Sequence, residues 1–511
     1  MKKHFKWLPV LVAGLLSAGS LSAADYNIVT YGAKEGGEVL NTDAIQRLID
    51  RASAEGGGRV IVPEGTFLTG GLQLKSNVDL HLEKGAVLLG STNSADYKKL
   101  DTTGRPYTPK QDDNAQMGMI QAFRADNASV TGHGTIDEQG REMVLNINEM
   151  LFHKREITAG RPRETYRPKL FYISSCTNFR LEGVYTKNSP GWGLSFELCH
   201  GLTIKNIKVY NRAYWNNDGI DIDDCTNVRI TGCDITSGDD AICLKSYYSQ
   251  FACDSVYIAD CKIHGTGNAI KFGSATFGGF HNVTIKNIRI YEAFHSAIAL
   301  QAVDGCSYKN VKIENVYAEN VGNAITARVG HRAGDKPGTI SDVHIKNLTA
   351  KISYHRTGID YGRTLEPDTV YHDVFPSFIA GLPGYDVGPF TMENVTIEFP
   401  GRHPRLKDFD ARKRIYEIEE RPKDYPEDNM FGELPCWGLY MRHAKGIDIK
   451  NLKFVLDGKD FRPIMVFDDA KDITIDGLKT PQGNNTVIVR ENSSVEIVND
   501  KKSEINVVSV E

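Results

Sequence analysis

The sequence predicts an all-β chain, a right-handed parallel β-helix forming a single solenoid domain with one short helix over its amino end. Three observations predict it. A short motif recurs along the chain, no helical periodicity lies between its copies, and the apolar pairs that follow each copy align in a column without gaps. The wider composition agrees with a folded, solvent-compatible domain: 41% of the 511 residues are hydrophobic and 24% are charged. A formal net charge of −5 argues against nucleic acid as a partner, because such binding needs a concentrated basic face.

The elements follow in chain order. Residues 1–23 carry Lys2, Lys3 and Lys6, an apolar run from Trp7 to Leu16, and Ser-Leu-Ser-Ala before Ala24, the pattern of a cleavable signal peptide. The run is too short for a membrane span and no cysteine follows it to take a lipid, so a secreted or periplasmic location is expected for a domain spanning 24–511. Next, Asn41-Thr42-Asp43 can cap an amphipathic helix over Ala44–Asp50 that stops at Gly56-Gly57-Gly58; it is the one convincing helix and would cover the end of the column.

The repeat then takes over. Leu202-Ile204-Asn206, Val228-Ile230-Gly232, Val256-Ile258-Asp260, Val283-Ile285-Asn287, Val311-Ile313-Asn315 and Val343-Ile345-Asn347 each read as a strand that buries two residues and turns on a third. Later copies stand at Phe390-Met392-Asn394 and Ile447-Ile449-Asn451. No copy could bury its face alone, so each must stack on the last. Leucine-rich repeats, the competing solenoid, would need fixed leucines and a helical segment, which are missing. Three segments, about 92–120, 355–385 and 402–435, break the pattern and are expected to lie as loops over one face, where loops build clefts. The nine cysteines lack zinc-site spacing, and buried thiols with one or two disulfides are the expectation.

A second strand in each coil aligns by its inward pairs: Leu194/Phe196, Ile220/Ile222, Ile242/Leu244, Ile270/Phe272, Ile298/Leu300 and Ile325/Ala327. The residues between and beside them must point outward in columns. One column is Ser195, Asp221, Cys243, Lys271, Ala299, Thr326, and the next is Glu197, Asp223, Lys245, Gly273, Gln301, Arg328. Two residues before the pairs stand Trp192, Asp218, Asp240, Asn268, Ser296 and Asn323, with Asp239 beside Asp240. Three carboxylates therefore meet on adjacent coils about 4.8 Å apart, too close to ionise independently. One raised and one ordinary carboxyl supply the acid and the base that glycosidic cleavage needs. A calcium site or plain surface turns are the bland alternatives, since Asn-Asp-Gly and Gly-Asp-Asp are ordinary turn sequences.

The motifs Asn216-Asn217-Asp218 and Gly238-Asp239-Asp240, with Gly132-His133-Gly134-Thr135-Ile136-Asp137 and Asn188-Ser189-Pro190-Gly191-Trp192, make the chain resemble glycoside hydrolase family 28, the polygalacturonases. The resemblance runs from about Asn27 to at least residue 330. It implies a pectin-degrading glycosidase with Asp239 as general acid, Asp218 and Asp240 activating water, and inversion at the anomeric carbon. Its substrate would be a pectic polysaccharide or oligosaccharide, and no cofactor, no metal and a monomer are expected.

Two departures matter. The family's Gly-His-Gly is Gly267-Asn268-Ala269 here, and its Arg-Ile-Lys is Ala299-Leu300-Gln301. Lys271, Lys245 and Arg328 are the candidates to hold a uronate carboxylate, against a salt ladder to Asp221 and Asp223. Trp192, Asn216, Asn268 and His295 complete the candidate binding set. The lost His is reminiscent of rhamnogalacturonan-acting branches and of trimming from a chain end. The rival readings are a pectate-lyase-like enzyme and a non-catalytic carbohydrate-binding β-helix, for which Trp192, Tyr214 and Trp215 would suffice.

Overall fold

The computed structural model describes residues 24–108, 115–154, 156, 162–265, 267–354, 374–401, 410–499 and 505–511. The expected leader, 1–23, lies outside the described residues, as do 109–114, 355–373 and 402–409 of the three expected loops.

Each coil of the column carries three short strands rather than two. One coil runs Leu194–Glu197, His200–Lys205 and Lys208–Asn211, and the next runs Ile220–Asp223, Thr226–Thr231 and Asp234–Ser237. All strand ladders are parallel, each strand pairing with its counterpart one coil on, so the column has three faces. Parallel strands joined by crossovers wind right-handed. The aligned pairs meet in register: Leu194 faces Ile220, Ile220 faces Ile242, Ile242 faces Ile270, and Ile270 faces Ile298. All five are fully buried. Each such side chain contributes about 1.5–3 kcal/mol by leaving water, and a one-residue slip would turn the whole set outward.

The turn after the second strand of each coil sits in the left-handed region, as at Asn287, Asn315, Asn347, Asn394 and Asn451, with φ between 55° and 57°. Asparagine tolerates that region, and here it also bonds along the column. Each of these amides donates to the side chain one coil before, from Asn287 to Asp260 at 2.9 Å through to Asn451 on Asn394 at 2.9 Å. The repeat's third position is therefore a continuous hydrogen-bonded ladder.

Helix α1, Thr42–Ala54, buries Ile45, Leu48, Ile49 and Ala52 against the first coils. Asn41 precedes it but makes no side-chain cap; its amide instead ties the preceding loop through Lys34 and Val39. A second long helix, α2, Gly140–His153, was not expected. It buries Met143, Val144, Ile147 and Leu151, a stripe diluted in the sequence by Asn146, Asn148 and Glu149. All nine cysteines are buried free thiols, and no disulfide occurs among the described residues. Several stack from coil to coil, with the Cys199 amide donating to Cys225 Sγ at 3.3 Å.

Candidate active site

The site lies on the outward side of one face, whose strands are β1 (Leu194–Glu197), β2 (Ile220–Asp223), β3 (Ile242–Ser246), β4 (Ile270–Thr276) and β5 (Ala293–Ala302). Just before β2 and β3 the chain turns, and those turns present Asp218, Asp239 and Asp240. Asn217 joins the two turns: its side-chain Nδ2 donates to Ser189 O at 2.9 Å and Gly191 O at 2.7 Å, while its backbone carbonyl accepts from Gly238 N and Asp239 N. Gly219 must be glycine, because a Cβ there would stand 2.5 Å from Ala241 O on the next coil.

The three carboxyls have opposite electrostatics. Burial pushes Asp239 well up, and the charges of Asp218 and Asp240 push it further, which favours its protonated form. Burial also pushes Asp240 up, but Lys271 and Lys245 outweigh it, with a hydrogen bond from Asn268, and hold it below the ordinary range. Lys271 Nζ stands 3.0 Å from Asp240 Oδ2, and Asn268 Nδ2 stands 2.9 Å from Oδ1. Asp218 is raised by burial against the pull of Lys245, whose ammonium lies 3.2 Å from its Oδ2 and also pairs with Asp221. Burial and neighbouring charge thus move the adjacent carboxyls of 239 and 240 in opposite directions.

A cavity of about 400 Å³ opens over these groups, lined by Trp192, Asn216, Asp218, Asp239, Asp240, Lys245, Tyr247, Gly273, Ser274, Ala275, Arg332, Tyr425 and Glu164. Contacts on either side along the column hold two of its lining residues, Tyr247 and Tyr425. Towards the amino end, Arg105 crosses the face to pair with Glu197 at 2.9 Å, and Thr108 Oγ1 donates to Tyr247 O. Towards the carboxyl end, the described part of the 402–435 segment folds down over β4 and β5. Tyr425 and Glu427 meet Lys271 at 3.3 and 3.1 Å, Gln301 Nε2 donates to Pro426 O at 2.6 Å, and His295 Nδ1 pairs with Asp428 at 2.8 Å.

The outward columns are corrected at one point and reassigned at another. Ser246 pairs with Thr276, so three residues, 273–275, bulge opposite Lys245 and no residue of β4 continues its column. The bulge aims Gly273, Ser274 and Ala275 into the cavity. Arg328 is not a substrate clamp: it is 2% exposed and donates to the backbone carbonyls of Gly381, Glu420 and Arg421, because the 410–435 segment covers it. Lys245 and Lys271 are likewise held by carboxylates, the salt-ladder alternative, with Glu427 and Asp240 in place of Asp223 for Lys271.

Of the other expected residues, Trp192 lines the cavity with the Lys245 ammonium 4.1 Å from its ring centre, and Asn216 is oriented by Arg167 at 3.0 Å. Asn268 and His295 sit behind the carboxylates and outside the lining, braced by Glu427 and Asp428. Sequence reasoning missed Glu164, Arg167, Ser274, Arg332, Tyr425, Glu427 and Asp428. A Pro- and charge-rich segment between two repeat copies was the available signal for the last three. Ligand atoms of His295, Glu427 and Asp428 fall within 4.8 Å of one another, but Lys271 already neutralises Glu427, which disfavours a cation there.

Comparison with known proteins agrees with this geometry. The sequence model of "Glycosyl hydrolases family 28" matches residues 53–355. A "Probable polygalacturonase" of Vitis vinifera is 27% identical over 425 residues, which is 78% of this chain and 79% of that protein. An "Exo-poly-alpha-D-galacturonosidase" of Dickeya chrysanthemi is 26% identical over 384 residues, 64% of this chain and 62% of the other. The solved family 28 exopolygalacturonase of Yersinia enterocolitica superposes with a TM-score of 0.62 at 17% identity, covering 90% of this chain and 78% of that one, a likeness of fold.

Proposed function

Because the chain belongs to the glycosyl hydrolases of family 28, we propose that it hydrolyses galacturonate linkages of a pectic chain from one end, with inversion. The enzyme is a glycosidase; the roles of its residues and its mode of attack are what is proposed. The observation that carries the reading is the convergence of Asp218, Asp239 and Asp240 on one pocket, where burial and like charges raise Asp239 while Lys271 lowers Asp240. Asp239 donates its proton to the glycosidic oxygen as that bond breaks. Asp240, with Asp218 beside it, removes a proton from the water whose oxygen bonds the anomeric carbon from the opposite side. The proton gained by the base returns through solvent to Asp239.

End-wise attack is supported by the segment that carries Tyr425, which crosses β4 at Lys271 and lines the pocket on its carboxyl side. The names of the Dickeya and Yersinia relatives carry the same mode. The Tyr425 ring, half exposed in the lining of the cavity, offers an apolar face to a sugar. Export is part of this reading, on the leader pattern of residues 1–23.

Product analysis of wild type and Asp239→Asn on polygalacturonan and on rhamnogalacturonan oligosaccharides tests it. Saturated monogalacturonate from wild type alone is expected, and the preferred backbone names the substrate. Mixed oligomers at early times would defeat the end-wise assignment, and a product absorbing in the ultraviolet would mean elimination.

A further inference from the structure

The pocket lining contains two cations, Lys245 and Arg332. Lys245 lies between Asp218 and Asp221 and serves the reacting carboxylates. Arg332 is placed differently, across the bulge of β4 and against Tyr425. Its Nε and Nη2 are braced by Asp304 at 3.0 and 2.6 Å, and Asp304 is itself fully buried and fixed by the Thr276 amide at 3.0 Å. Nη2 also donates to Ser274 O at 2.5 Å, so one edge of the guanidinium is fully committed.

One donor hydrogen is left. Nη1 carries two hydrogens and makes one bond among the described residues, to Ser274 Oγ at 3.2 Å. Ser274 itself lines the pocket, because the three-residue bulge turns it there. Tyr425, 53% exposed, stands with its ring centre 6.0 Å from Arg332 Cζ. A guanidinium held rigidly by a buried carboxylate, with one N–H left over a cavity and the Ser274 hydroxyl beside it, is preorganised to donate to an oxygen of an anion.

We infer that Arg332, set by Asp304 and flanked by Ser274 and Tyr425, is the subsite that reads a uronate carboxylate in this pocket. The inference rests on the reading of the pocket as the hydrolytic site. It accounts for the absence of the family's Arg-Ile-Lys at Ala299-Leu300-Gln301: the cation comes instead from the segment after β5's neighbouring coil, aimed back by the bulge.

The test separates binding from chemistry by measuring equilibrium affinity in the slow variant Asp239→Asn, with an oligogalacturonide and with its methyl ester as probes. Arg332→Gln added to that variant is expected to weaken the free acid about ten- to hundred-fold and to leave the ester unchanged, abolishing the preference for acid. Arg332→Lys, which keeps a charge opposite Asp304 and so preserves the fold, is expected to lose part of that preference, because one ammonium cannot bond Asp304 and Ser274 and still hold a donor in the same place. Equal weakening of acid and ester, or unchanged affinity for the acid in folded Arg332→Gln and Arg332→Lys alike, overturns the inference. A wild type that binds the acid and cleaves neither probe would instead overturn the hydrolase reading while leaving this subsite standing.

Discussion

Two cavities of similar size open on the outward side of the same face, and only one is built for chemistry. The first, about 450 Å³, lies near α1 over Gln73 and Gln121; the second, about 400 Å³, lies over Asp218 and Asp240. A continuous column joins them, from Gln73 through Gln121, Tyr172 and Ser195 to Asp221. In the first, carboxylates find local partners: Asp50 accepts from Gln46, Asp96 from Ser91, and Asp101 from Thr103. In the second, partners come from other coils and from a distant segment, as with Asp218 and Lys245 or Lys271 and Glu427. Volume does not distinguish the two. The forced meeting of buried charges from distant parts of the chain does.

The comparison breaks most decisively at the acid. Asp239→Asn is expected to lower kcat by about 10²–10⁴-fold with KM nearly constant, measured by reducing-sugar release; a smaller loss would mean the second cavity holds no general acid. Next comes Lys271, 2% exposed between Asp240 and Glu427. Lys271→Met leaves the buried Asp240 and the partly buried Glu427 without the cation between them, and urea unfolding should register a loss of about 3 kcal/mol.

The pair that pins the covering segment gives a pH test. Burial alone would lower the His295 imidazolium, but Asp428 and Glu427 outweigh it and push its pKa up to about 9. A raised pKa means the pair's contribution is complete below about pH 6.5 and is lost as pH rises through about 9. Thermal unfolding of wild type should lose about 2 kcal/mol more than His295→Gln between pH 7 and 10.

The ladder is weaker still. Asn347→Ala removes two ladder bonds and puts alanine at φ 56°, for about 1–2 kcal/mol in urea. Smallest of all, Gln121→Leu in the first cavity should leave kcat and KM within error; any clear change in either would make the two cavities alike.

The column was readable because alternation leaves little choice. Val256 and Ile258 can be buried only if they stack under Val283 and Ile285, and the outward order follows from that. Asp218, Asp239 and Asp240 were readable for the same reason, as turns between fixed strands. The bulge at 273–275 was not, since Gly-Ser-Ala fits a strand or a turn equally well and leaves the inward pair Ile270/Phe272 undisturbed. Arg328 was read correctly as outward and wrongly as open, because nothing in a repeat states what will lie across it. Tyr425, Glu427 and Asp428 belong to no coil, so periodicity could not place them.

Lys271 and Glu427 are 156 residues apart, and that distance has a meaning during synthesis. Residues 218–271 are made long before residue 427, and until that residue follows Lys271 has Asp240 alone and the pocket lacks Tyr425. The cavity is complete only once the last fifth of the chain has been made, and a chain cut short of residue 425 would keep the three aspartates and lose one side of the space they line.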